Sequence, residues 1–336
     1  MQQRFAVIGL DHRHVYELTG FLVEAGMECA GYWPQTTDAR VLAGFRKRFP
    51  GIPEVAEKAR LIEDPTIQVI ASAAVPCERA GLAIAAMRAG KDVLVDKPGI
   101  TSFAQLAAVE QAVAETGRIF SVCFSERFLT PSTEAALELV RQGAIGRVIQ
   151  TVGLAPHRLN RALRPAWFWD REAYGGILVD IGSHQIDQFI AFTGATAPRV
   201  AMAAVGQFAV GAGFEDFGEI VLRSEHATGY VRLDWFTPDG LASWGDGRVT
   251  ILGTEGSIEL RKNIDIAGRP GGEHLFLIDA RSTRHIGCEG RPIRYFRDFA
   301  ADVANRTETA MTQAHCFTVC RLALEARAMA QRVPDA

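Results

Sequence analysis

The sequence predicts an α/β protein in two parts: a doubly wound parallel sheet, then an α+β part on an open, mostly antiparallel sheet. Three observations carry this. Short apolar runs alternate with stretches of helical spacing as far as Cys123, as in parallel strands covered by helices on both faces. Beyond Phe124 the runs turn to period-2 alternation, as in a sheet with one face in the core. The first strand, Phe5-Ala6-Val7-Ile8, stops on Gly9 and leads into a helix. With 336 residues the chain can build two packed cores. The division is expected at 1–123 and 124–336, with the last helices able to pack back on the first part.

After the first strand, Val15, Leu18, Phe21, Leu22 and Ala25 mark a helix. A strand follows at Met27 to Trp33, a helix at Ala39 to Phe49, and a buried strand at Ile67 to Ala74. Ala80 to Ala89 reads as helix, Asp92 to Val95 as strand, and Ser102 to Glu115 as helix with Ser102 as N-cap. Ile119 to Cys123 closes the series. In the second part, Pro131 opens a helix running to about Gln142. Strands are expected at Val148–Leu154, Arg199–Phe208, Phe217–Leu222, Thr228–Trp235, Arg248–Leu252, Ser257–Leu260 and Leu275–Ile278, interrupted by a helix from about Gly182 to Thr193. Helices near Tyr295–Asn305 and Met311–Arg332 finish the chain.

Composition narrows the class. The net charge is -3, so there is no basic field to attract nucleic acid. No apolar run is long enough to span a bilayer, and the N-terminus enters a strand without a signal-peptide pattern. Six scattered cysteines read as reduced core residues. A cytoplasmic protein is expected. Cys316 and Cys320, with His315 nearby, lack a fourth ligand for a metal site.

The turn after the first strand reads Gly9-Leu10-Asp11-His12-Arg13-His14. A dinucleotide-binding turn normally carries glycines where Asp11 and His14 stand. A carboxylate there repels a pyrophosphate unless it turns away or caps the following helix, while Arg13 can contact phosphate. Trp33-Pro34-Gln35 occupies the end of the second strand, where an acid often reads the ribose, and Asp38 is the nearest carboxylate. A plain strand–turn–helix without a nucleotide is the alternative. A metal held by Asp11, His12 and His14 is disfavoured, because three ligands in one short turn rarely converge without help from elsewhere.

Two further segments supply proton-transfer chemistry. In Val93-Leu94-Val95-Asp96-Lys97-Pro98-Gly99, Lys97 ends a parallel strand, the edge at which open α/β sheets bind ligands. Pro98 restricts its backbone, and partial burial can bring a lysine into range for proton exchange. A lysine snorkelling at a strand end is the bland alternative. In Gly175-Gly176-Ile177-Leu178-Val179-Asp180-Ile181-Gly182-Ser183-His184, Asp180 and His184 are four apart and share a face if helical. A carboxylate beside an imidazole suits acid/base work, although a packed helix start explains the pair equally well. Gly175, Gly176 and Gly182 leave room for a ligand, and Asp187 can support the pair. Arg127, Arg158, Arg161 and Arg164, with Trp167 nearby, offer forks for carboxylate or phosphate and a ring for sugar-like faces.

Taken together, Gly9, Asp96-Lys97-Pro98, Arg127-Phe128, and Gly175-Gly176 with Asp180, Gly182, His184 and Asp187 resemble the Gfo/Idh/MocA oxidoreductases, the family of glucose–fructose oxidoreductase and inositol 2-dehydrogenase. The resemblance spans nearly the whole chain. It implies an N-terminal Rossmann domain and a C-terminal sheet that often forms a homo-oligomer interface, as dimer or tetramer. It also implies hydride transfer between NAD or NADP and a carbinol carbon of a sugar, sugar acid or inositol-like polyol. Catalysis would fall to Lys97, Asp180 and His184, with a Lys97–Pro98 bond that is often cis. Cofactor contacts would come from Gly9, Asp11, His12, Arg13, His14, Trp33, Pro76, Asp96, Lys97 and Pro98. Substrate contacts would come from Arg127, Arg158, Trp167, Asp180 and His184, and no metal is expected. Where relatives often carry a histidine, this chain has Pro76-Cys77-Glu78-Arg79. The alternatives are a non-catalytic dinucleotide- or sugar-binding regulator on the same fold, and a metal-dependent lyase or hydrolase using Asp180, His184 and His157.

Overall fold

A computed structural model describes residues 2–211 and 213–333; the last residues of the expected 124–336 part lie outside them. The chain folds as two compact units. The first comprises the residues up to Cys123 with Pro165–Gly175 and Arg294–Arg321, and the second comprises Phe124–Arg164, Gly176–Ile293 and the residues from Leu322 on.

In the first unit the strands are β1 (Arg4–Leu10), β2 (Glu28–Tyr32), β3 (Val69–Ala73), β4 (Asp92–Asp96) and β5 (Phe120–Cys123). They form one parallel sheet in the order β2-β1-β3-β4-β5. The helices between them are α1 (Val15–Glu24), α2 (Ala39–Arg48), α3 (Lys58–Glu63), α4 (Pro76–Arg88) and α5 (Phe103–Thr116). β3 and β4 are buried at every position, because helices cover both faces of a parallel sheet. Ser102 caps α5 as expected, its hydroxyl accepting from Gln105 N at 3.2 Å. α4 starts at Pro76, four residues before the expected start, since proline suits the first helical position. The strand order reverses between β1 and β3, which puts the β1–α1 turn at the switch point where such sheets bind ligands.

The second unit opens with α6 (Ser125–Phe128) and α7 (Pro131–Arg141). Its strands are β6 (Val148–Pro156), β7 (Arg199–Gly206), β8 (Phe217–Arg223), β9 (Thr228–Asp234), β10 (Gly247–Gly253), β11 (Gly256–Lys262), β12 (Glu273–Asp279), β13 (Thr283–Gly287) and β14 (Gln331–Arg332). They make one mixed sheet in the order β13-β12-β11-β10-β6-β9-β8-β7-β14. Only the β6–β9 and β14–β7 pairings are parallel. One face packs on α7 and the helix Gly182–Thr193, with Leu137, Val249, Ile251, Leu260 and Leu275 in the core. Each such side chain contributes about 1.5–3 kcal/mol by leaving water. Tyr230, Val221 and Val152, on the other face, stay partly exposed. The final helix ends at Met329, and Gln331–Arg332 leaves it to pair with β7, where a longer helix was expected. Among the described residues, no helix is long and apolar enough to cross a membrane.

Candidate functional site

The β1–α1 turn is built around Gly9. Its φ is +89°, and a Cβ there would stand 2.4 Å from Ala74 Cβ. Only glycine fits both the backbone and the space. The turn is tied to the end of β3, where Ala73 O accepts from Asp11 N at 3.1 Å and His12 N at 3.0 Å. Asp11 is buried and does not cap α1. Its Oδ1 accepts from the Thr37 hydroxyl at 2.7 Å and the Thr36 hydroxyl at 3.3 Å, which holds the loop after β2. The carboxylate at the second glycine position therefore points away from the helix start.

His12 and His14 turn instead toward Asp96, the last residue of β4. His14 Nδ1 lies 2.9 Å from Asp96 Oδ1, and His12 Nδ1 lies 3.3 Å from Asp96 Oδ2. The two rings meet edge to face at 4.1 Å, and Trp167 lies edge-on to His12 at 6.3 Å. Burial, reinforced by His14, holds the His12 imidazole down at about 3, so it is neutral at physiological pH. Burial alone would raise the Asp96 carboxyl, but His14 and Arg79 outweigh it and hold the group well below the usual carboxylate range.

Arg79 is the residue that sequence reasoning missed. It is fully buried, and its guanidinium donates to Ala74 O at 2.7 Å, Asp96 O at 2.8 Å, Pro98 O at 3.0 Å and Asp96 Oδ2 at 3.3 Å. It staples the whole Asp96-Lys97-Pro98 segment. The signal was present: on α4 the buried positions are Pro76, Arg79, Ala80, Ala83, Ala86 and Met87, so Arg79 stands on the apolar stripe, where a charge needs a buried partner. Lys97 itself is buried, and the Lys97–Pro98 peptide is cis. Pro76 heads α4. Trp33 follows β2 with Lys58 Nζ over its ring at 5.2 Å, while Asp38 caps α2 and pairs with Arg40.

In the second unit, Asp180 ends a short helix, Ile177–Asp180, and His184 lies in the next one; Ile181 stands between them. Both side chains are buried. Glu215 fixes the start of the short helix by accepting from Ile177 N at 2.9 Å. The room expected for a ligand beside Gly176 is taken by this carboxylate, which a Cβ would meet at 2.6 Å, and Gly182 packs on Ile220 and Leu233. Asp187 takes the fork of Arg127, with contacts of 2.7 Å and 2.6 Å. Arg158 donates to the carbonyls of Pro238 and Leu241. A second missed network lies beneath the helix: buried Lys262 donates to Glu126 O at 2.9 Å and Gln188 Oε1 at 2.6 Å, and Gln188 Nε2 donates to His184 O at 3.0 Å. Among the described residues, neither Asp180 with His184 and His157 nor the Cys316–Cys320 pair forms a three-donor metal cluster.

The residues at the turn fit a dinucleotide. His14, at the N-cap of α1, makes no side-chain cap among the described residues, the one carboxylate in the turn is engaged elsewhere, and Arg13 is exposed. A ten-residue helix with an uncapped start at a switch point is a place for phosphate. Fold and turn together define a nucleotide-binding class. Two family models match: residues 4–124 fit the oxidoreductase family with an NAD-binding Rossmann fold, and residues 133–259 fit the GFO/IDH/MocA C-terminal domain. The chain belongs to the GFO/IDH/MocA oxidoreductase family. It is 28% identical over 267 residues to scyllo-inositol 2-dehydrogenase (NAD(+)) of Bacillus subtilis (strain 168), covering 76% of this chain and 73% of that protein. A solved structure of a presumed oxidoreductase from Erwinia carotovora atroseptica SCRI1043 is 45% identical, with TM-score 0.95, covering 99% of this chain and 100% of that one. Levoglucosan dehydrogenase in complex with NADH and levoglucosan shares the fold at 20% identity, with TM-score 0.78 and 98% of each chain covered.

Proposed function

We propose that this chain is an NAD(P)-dependent dehydrogenase or reductase acting on a carbinol carbon of a sugar, sugar acid or inositol-like polyol. The observation that carries the reading is Lys97, a buried lysine at the carboxyl end of β4, in a segment held by Arg79 through the carbonyls of Asp96 and Pro98. The bound nicotinamide would take or give the hydride. Lys97 and His184 would exchange the proton of the substrate hydroxyl, and Asp180 would bind and orient it. Trp167 offers an apolar face, and its Nε1 has no hydrogen-bond partner among the described residues, which suits a polyol oxygen. The inositol and levoglucosan dehydrogenases among its relatives support this substrate class. The partly exposed face of the nine-stranded sheet, with Tyr230, Val221 and Val152, is proposed to join copies of the chain. Six free cysteines favour a reducing cytoplasm.

The test is turnover of a panel of inositols, aldoses and sugar acids with NAD+ and NADP+, followed by nicotinamide absorbance. Lys97→Ala is expected to lower kcat by about 10²–10⁴-fold while leaving nucleotide affinity within a few-fold. Unchanged kcat sinks the assignment. A folded protein that binds nucleotide and sugar but turns over nothing in the panel is a regulatory binder.

A further inference from the structure

Three residues that the redox reading treats only as cofactor contacts form a different kind of group. His12 and His14 come from the β1–α1 turn and Asp96 from the end of β4. Each offers one ligand atom, and the three atoms lie within 4.8 Å of one another. Among the described residues this is the one group of three His, Cys, Asp or Glu side chains so arranged. A turn carrying a His-X-His pair cannot by itself enclose an ion. The help comes from a strand that begins 78 residues after His14. We infer that His12, His14 and Asp96 form a binding site for one divalent transition-metal ion of the Zn2+ class.

The donor set is two imidazoles and one carboxylate. That is the ligand count and type of an open zinc site, and imidazole selects such ions over Mg2+ or Ca2+. Bonds of about 2.0–2.2 Å to a tetrahedral ion separate its donors by roughly 3.3 Å. Here the Nδ1 atoms already stand 2.9 and 3.3 Å from the two carboxylate oxygens. The side chains of His12 and His14 are about a fifth exposed, while His12 Nδ1 itself is buried. Asp11 is excluded as a ligand, because its carboxylate is bound to Thr36 and Thr37.

The surroundings supply a support shell and set the affinity. Arg79 holds Asp96 through its backbone carbonyl and Oδ2, orienting the ligating carboxylate as outer-shell groups do. The same guanidinium and the start of α1 are positive and work against the ion, so micromolar affinity is expected, weaker than for closed structural zinc sites. This site lies within the first unit and does not depend on the dehydrogenase reading.

The experiment is a titration of the full chain, purified with chelator and then freed of it, with Co2+ followed by visible absorption, and with Zn2+ by calorimetry. One equivalent with a tetrahedral Co2+ spectrum is expected, displaced by Zn2+. His12→Gln and His14→Gln, each folded by circular dichroism, are expected to weaken binding at least tenfold. His285→Gln, at the exposed partner of buried His274, is expected to leave it unchanged. Absence of saturable binding to the folded chain overturns the inference. So does affinity unchanged in the His12→Gln, His14→Gln double variant, or affinity lost in His285→Gln.

Discussion

Arg79→Met tests the account of the lysine-bearing segment. Methionine keeps an unbranched stem in an apolar slot and removes every donor. Four acceptors within 3.3 Å lose their partner: the carbonyls of Ala74, Asp96 and Pro98 and the Asp96 carboxylate. Breaking a buried ion pair from one side costs about 3–5 kcal/mol. A buried carbonyl left without a donor costs about 1–3 kcal/mol. The groups form one network, so these values do not sum, and a loss of about 4 kcal/mol is expected. His12 and His14 still face Asp96, so its charge is only partly uncompensated. Asp96→Asn in the Arg79→Met background should therefore restore about 1–2 kcal/mol of it, although Asp96→Asn alone destabilises. The assay is urea unfolding followed by tryptophan fluorescence and far-UV circular dichroism, with coincident transitions as the condition for a two-state ΔG. A loss below about 1 kcal/mol, or strict additivity of the two substitutions, refutes the staple.

Three other outcomes follow from the same geometry. Gly9→Ala, which forces a left-handed φ and a Cβ into Ala74, should cost about 2–4 kcal/mol in the same assay and weaken nucleotide binding; a neutral effect contradicts the close approach. Arg127→Lys loses the two-point fork on buried Asp187 and should cost about 1–3 kcal/mol, read as a lower urea midpoint at unchanged m. For Lys262, burial outweighs Glu126, Glu273 and Asp187 and lowers its pKa from 10.5. Between that lowered value and 10.5 the unfolded chain binds the proton more than the folded one, so this group adds stability as pH rises. Wild type should gain on Lys262→Met as urea midpoints are measured from pH 7 to pH 10; a wild type that falls behind has the sign wrong.

Much of the architecture could be read from the sequence because the period of apolar residues reports strand and helix directly. The buried runs Ala6-Val7-Ile8 and Val93-Leu94-Val95 became central parallel strands, and the alternation of Ile258, Leu260 and Lys262 became the core face of β11. That same alternation placed a lysine inward, and Lys262 is buried. The partners of such a lysine, Glu126 and Gln188, are 136 and 74 residues away. No local pattern encodes that pairing. Position-specific rules also cannot give the direction of the side chains in the turn. Asp11 looked hostile to phosphate because its direction is set by Thr36 and Thr37 on another loop. His14 stands where close packing usually demands glycine, and Asp96 on β4 receives its ring. The short helices Lys58–Glu63 and Arg171–Tyr174 are too brief to show a period, and β13, mostly exposed, has no apolar face to betray it.

The central claim is that this turn, with one glycine of the usual three, still binds a nicotinamide dinucleotide for redox chemistry. The most direct measurement is a calorimetric titration of the folded chain, stripped of carried-over nucleotide, with NADH and NADPH in turn. Saturable micromolar binding of at least one, at one site per chain, is the predicted result, and the tighter of the two identifies the working cofactor. A well-folded chain that binds neither contradicts the claim.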